Sequence, residues 1–139
     1  MEKTLLDQEI EKGAFNKGGE ASSKLKEILR KLGIEPEIIR KTSIITYEME
    51  LNIIIHSRGG QLEAKITPEN IIICADDNGP GIKDLDQAFK PGYSTAGAEV
   101  RELGFGAGMG LNNIKNFSDE LKVDSTVGQG TNIKALISI

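Results

Sequence analysis

Asp77-Asn78-Gly79-Pro80-Gly81 ends an apolar run on an acidic residue and opens onto a glycine turn; after a long polar insert comes Gly104-Phe105-Gly106-Ala107-Gly108-Met109-Gly110. The first stretch offers a carboxylate that can accept a hydrogen bond from an exocyclic amine. The second offers bare backbone N–H groups at a helix start, where anions bind. Together they suggest a nucleotide site with an adenine end and a phosphate end. Asp76 stands beside Asp77, and strand alternation sends the two to opposite faces. Only the spacing to Gly79 and Gly81 favours Asp77.

Working outward, Ile71 to Ala75 reads as a buried strand and Leu62-Ala64-Ile66 as the strand before it, turned through Pro68-Glu69-Asn70. Leu5 to Ile10 suits a first strand. Leu25, Ile28, Leu29 and Leu32 carry a helical period from Gly18-Gly19 to Gly33. Pro36 starts a second helix that continues to about His56. Residues 82–103 show no clean period and read as a long surface loop. Leu111 to Phe117 reads as a helix. Leu121-Val123 and Ile133-Ala135-Ile137 form a hairpin through Gly128-Gln129-Gly130. The order is that of one α/β domain spanning residues 1–139.

In the second helix Glu48, Asn52 and His56 are spaced four and four, so they rise along one face. Ile44, Leu51 and Ile55 flank one side of that row, and Ile45 and Met49 the other. Glu50 falls opposite and is expected to face water. A Glu and an Asn within an apolar arc need partners. The row is either a satisfied internal network, a polar face merely exposed to solvent, or a site where a bound cation and phosphate supply the partners. An amide oxygen suits Mg²⁺, and a carboxylate one turn away can take a proton from an attacking hydroxyl or water. His56 is the sole histidine, which excludes a two-histidine metal site within the chain.

The net charge of −4 argues against a general nucleic-acid coat. No run approaches the ~20 apolar residues of a membrane span, and Met1-Glu2-Lys3-Thr4 lacks the pattern of a signal peptide. The single cysteine, Cys74, excludes an internal disulfide and reads as a reduced core thiol, in keeping with a cytoplasmic protein.

In this order and spacing the pieces resemble the GHKL (Bergerat-fold) ATPase superfamily of gyrase, Hsp90, histidine kinase and MutL type. Within it they resemble the bacterial anti-sigma-factor serine/threonine kinases and switch kinases. Glu48-x-x-x-Asn52 with His56 is similar to the N box. Asp77-x-Gly79-x-Gly81, Gly104 to Gly110 with Leu111, and Gly128-x-Gly130-Thr131 are similar to the three glycine boxes. One glycine motif is weak evidence, and four motifs in order over nearly the whole chain are strong. For Gly128-Gln129-Gly130 a plain hairpin turn and a glycine box both remain open.

The resemblance implies a two-layer α/β sandwich, with helices on one face of a mixed sheet and ATP between the helices and a lid over residues 88–108. It implies Glu48 as general base, Asn52 as Mg²⁺ ligand, and Asp77, supported by Thr131, as acceptor for the adenine amine. It further implies nucleotide contacts from Gly79, Gly81, Thr95, Gly106, Gly108, Met109, Gly110 and Leu111. The activity implied is transfer of the ATP γ-phosphate to a Ser or Thr of a small regulatory protein. The resemblance also implies a sigma factor or another target bound in alternation and is compatible with a homodimer, and no direct binding of membrane or nucleic acid is expected. Two alternatives stand beside this: a non-enzymatic ATP-responsive interaction module, and a histidine-kinase-like ATPase domain lacking its phosphoacceptor domain.

Overall fold

In the computed structural model the described residues are 2–13, 17–78 and 110–139. They form β1 (Lys3–Ile10), α1 (Glu20–Lys31), α2 (Pro36–His56), β2 (Gly60–Ile66), β3 (Asn70–Asp77), α3 (Gly110–Phe117), β4 (Glu120–Thr126) and β5 (Gly130–Ser138). The strands make a five-stranded sheet in the order β1-β2-β3-β5-β4. Each of the four neighbouring pairs is antiparallel. A helices-over-sheet sandwich is therefore present as expected, with an antiparallel sheet where a mixed one was anticipated.

Alternation along the strands defines the layers. Leu62 and Ala64 of β2, Ile71, Ile73 and Ala75 of β3, and Ile133, Ala135 and Ile137 of β5 are buried on one face. The helices cover that face: α1 packs beside β1, α3 beside β4 and β5, and α2 lies between them over the sheet. Ile72 and Cys74 point the other way and are only half-buried. Cys74 is thus not a core thiol, because helices cover one face of the sheet and a five-residue apolar run need not be buried on both. Partial burial pushes the Cys74 thiol up, and Lys134 on the neighbouring strand opposes the shift.

The helix α2 is 21 residues long and begins with Pro36 at its first turn, where a missing N–H costs nothing. It is buried nearly all round: Ile39, Thr42, Ile45, Thr46, Met49, Glu50, Leu51, Ile53 and Ile54 are inaccessible or nearly so. The Thr42 and Thr46 hydroxyls donate to the carbonyls of Ile38 and Thr42, at 2.8 and 2.7 Å, so neither is left unpaired in the core.

Glu50 does not face water. It is 1% exposed, and its two carboxylate oxygens accept from the backbone N–H groups of Gly19 and Ala21, each at 3.0 Å. Helix α1 covers the face of α2 that lies opposite the Glu48 row, and the Glu50 carboxylate satisfies N–H groups at the start of α1. Gly19, the residue before α1, has a left-handed φ of 95° and no side chain to cap with. The cap comes instead from the next helix.

Candidate functional site

The floor of the site is the end of β3. Asp77 pairs with Thr131 across the β3–β5 ladder, and its Oδ1 accepts the Thr131 N–H at 3.1 Å. Asp77 is half-buried and shares its face with Ile71, Ile73 and Ala75, whereas Asp76 is exposed on the opposite face. Alternation alone left the two equivalent; the position of the helices separates them. The bond to Asp77 comes from the Thr131 backbone, and the Thr131 hydroxyl lies 2.9 Å from Ser125 Oγ.

Two glycines bring neighbouring strands against the backbone at Asp76 and Asp77. A Cβ on Gly60 would overlap the Asp76 carbonyl oxygen and press on Asp77 Cα, and a Cβ on Gly130 would collide with the Asp77 carbonyl. Gly130 also has a φ of +134°. Gly128 differs: its φ is +85°, and nothing lies within 4 Å of an added Cβ. The turn therefore needs Gly128 for its backbone angle, while Gly130 is needed for close approach to Asp77.

The wall is α2, with Glu48 and Asn52 on a half-buried face one turn apart. Burial pushes the pKa of the Glu48 carboxyl up from its ordinary value. A hydrogen bond from Asn113 Nδ2 of α3, at 3.3 Å, opposes that shift. Asn113 was not singled out from the sequence, since 65 positions separate it from Glu48. The residue became legible only when α2 and α3 were seen to pack together. Arg40 of α2 also lies over the Phe117 ring of α3, 5.4 Å from its centroid, and ties the other end of the two helices together.

The third part is the start of α3. Gly110 opens the helix, whose first turn carries no acidic side chain. The first N–H groups of a helix have no partner within it, and the dipole favours negative charge there. In the same turn the Asn112 Nδ2 is buried without a hydrogen-bond partner among the described residues. A helix start free of acids is compatible with an anionic group. Among the described residues no group of three or more His, Cys, Asp or Glu could hold a metal ion. Mg²⁺ does not require such a cage, because it is bound through one or two protein oxygens together with substrate phosphates. Gly79, Gly81, Thr95, Gly106, Gly108, Met109, the lid over 88–108 and the loop over 82–103 lie outside the described residues. The same is true of the His56 side chain.

An acid at a strand end, a half-buried Glu and Asn on the covering helix, and an acid-free helix start are thus set in one α/β sandwich. A family model described as histidine kinase-, DNA gyrase B-, and HSP90-like ATPase matches residues 39–138, and the chain belongs to that family. Membership of an ATPase family implies ATP as the nucleotide. The chain is 32% identical over 93 residues to the serine/threonine-protein kinase RsbT of Bacillus subtilis, covering 64% of each chain. It is 38% identical over 98 residues to an anti-sigma F factor of Caldanaerobacter subterraneus, covering 70% of this chain and 61% of that one. These matches thus span less than two thirds of the relatives' own length.

Among solved structures, the crystal structure of the SiaB-SiaC complex from Pseudomonas aeruginosa includes a chain that superposes with a TM-score of 0.66. The identity is 16%, over 96% of this chain and 89% of that one. The mycobacterial sensor histidine kinase MprB superposes at 0.52 with 15% identity, over 96% and 97%. These two likenesses carry the fold. Among the described residues, no helix is long and apolar enough to cross a membrane.

Proposed function

We propose that the chain is an ATP-dependent protein kinase that transfers the γ-phosphate to a Ser or Thr of a small regulatory protein, as an anti-sigma-type regulator. The observation that carries this reading is Glu48, a half-buried carboxylate whose affinity for a proton is raised by burial. A base works best when its pKa approaches the working pH, and burial moves Glu48 in that direction. In this reading Glu48 takes the proton from the attacking hydroxyl. Asn52 presents its amide oxygen to Mg²⁺, which when bound neutralises charge on the phosphates.

Asp77 accepts from the adenine amine. A carboxylate has about four acceptor sites, so that bond is compatible with the one from Thr131. Gly110 and Leu111, with the unpartnered Asn112 amide, receive the phosphates at the start of α3. Gly79, Gly81, Thr95, Gly106, Gly108 and Met109 complete the nucleotide contacts in this proposal.

The names of the relatives, a serine/threonine-protein kinase and an anti-sigma F factor, favour a protein acceptor and a sigma factor as alternating partner. A cytoplasmic location goes with ATP as phosphoryl donor. The test is single-turnover labelling with γ-labelled Mg–ATP and the proteins that co-purify with the chain. Label on a Ser or Thr of one of them is the expected result. ATP-dependent capture of a partner that never acquires label would replace the kinase by an interaction module.

A further inference from the structure

We propose that Asn113 is a positioning residue for phosphoryl transfer, its side-chain amide holding the Glu48 carboxylate from across the α2–α3 contact. The proposal rests on Glu48 acting as the base. The hydrogen bond, Nδ2 to Oε1 at 3.3 Å, joins two elements with separate tasks. Helix α2 carries Glu48 and Asn52 on one face. Helix α3 begins at Gly110, the proposed phosphate end.

Asn113 lies three residues after Gly110, within one turn, so any shift of the start of α3 is passed on to the amide. A group that docks at the phosphate end thereby sets the direction of the base. Without that donor, the half-buried carboxylate is free to turn away from the incoming hydroxyl. Alignment of reacting groups is where small displacements become large losses in rate.

Stability alone is a poor reason for this pair. A half-buried Glu–Asn contact between helices gains little over a well-packed apolar pair, because both groups must be desolvated. Both side chains are only partly covered, and the neighbouring core positions Met49 and Ile114 are fully buried and apolar. The polar pair sits on the side of α2 that also carries Asn52, and not within the core.

The experiment is a double-mutant cycle on the full chain, read as the rate of label transfer from Mg–ATP to the acceptor protein. Asn113→Ala should lower kcat about 10-fold, the scale of one hydrogen bond to a charged group, with KM for ATP within about twofold. Asn113→Gln, which keeps the donor, should recover part of the loss. In a Glu48→Gln background Asn113→Ala should change the rate by less than about twofold, since the residue it positions no longer takes the proton.

Asn113→Leu runs the same cycle if the alanine variant fails to fold. Loss of folding in both variants would make Asn113 structural and overturn the proposal. So would an unchanged kcat, or an equal loss in both backgrounds. If Glu48→Gln alone transfers label as fast as wild type, the base reading falls and takes this inference with it. That outcome is read in the single variant and is therefore distinct from failure of Asn113.

Discussion

Replacing Glu50 by Ala removes a carboxylate that is 1% exposed and leaves the N–H groups of Gly19 and Ala21 without their acceptor. Ala21 is fully buried, so water does not easily replace the lost bond there. A hydrogen bond to a charged group contributes about 1.5–3 kcal/mol, which puts the gross loss for two at roughly 3–6 kcal/mol. Against this stands the cost of holding a charge out of water, seen in the way burial raises the Glu50 pKa despite its backbone donors. The net destabilisation should be about 2–4 kcal/mol. With a urea slope of about 2 kcal/mol per molar, the middle of the usual range, the midpoint should fall by about 1–2 M. Glu50→Gln keeps one neutral acceptor and should lose about half as much. Equilibrium urea unfolding followed by far-UV circular dichroism gives both numbers. A Glu50→Ala midpoint equal to wild type would refute the reasoning, because the start of α1 would then not depend on α2.

Other expectations follow from the site. Asp77→Asn should weaken ATP binding by about 10- to 150-fold, the loss of a charge-assisted acceptor; titration calorimetry giving equal affinity would remove Asp77 from the adenine end. Gly130→Ala should destabilise the fold by more than about 1 kcal/mol, since its Cβ would strike the Asp77 carbonyl at a φ of +134°; an unchanged unfolding midpoint would contradict this. The stability of the protein should also depend on Glu48 in a predictable direction. Its folded pKa is raised above the ordinary value of 4.5, so its contribution is fully present below the unfolded pKa and is lost as pH rises through the folded one. Glu48→Gln should therefore be more stable than wild type at neutral pH, with the gap closing as pH falls towards 4.5. A gap that widens on acidification would reverse the sign.

Much of this fold was written locally. Pro36 and the apolar spacing gave α2 its bounds, and the Gly128 turn with alternating Leu121, Val123, Ile133 and Ala135 gave the final hairpin. The placing of Glu48 and Asn52 on one face followed from a period of 3.6 residues, while their half-burial comes from the packing around α2. What escaped was decided by packing between distant segments. A place opposite the polar row points Glu50 to solvent, yet a helix that is apolar nearly all round has no water face there. Ile38, Ile39, Ile45, Leu51, Ile53 and Ile54 already carried that signal. Asn113 left a fainter one, in two successive asparagines inside a short amphipathic helix whose Leu111, Ile114 and Phe117 face the core side. For Cys74 the signal is lacking altogether, because a run of apolar residues does not reveal whether one face of a sheet or both are covered.

The central claim is that Glu48 takes the proton from the acceptor hydroxyl, and Glu48→Gln tests it most directly. The amide keeps the shape of the side chain and cannot act as a base, so ATP should bind the variant at least as well as wild type. Single-turnover transfer from Mg–ATP to the acceptor protein should fall about 10²-fold, near the lower end for a positioned base because a loose transition state leans on it less. Transfer at the wild-type rate, with ATP bound and the partner engaged, would contradict the assignment.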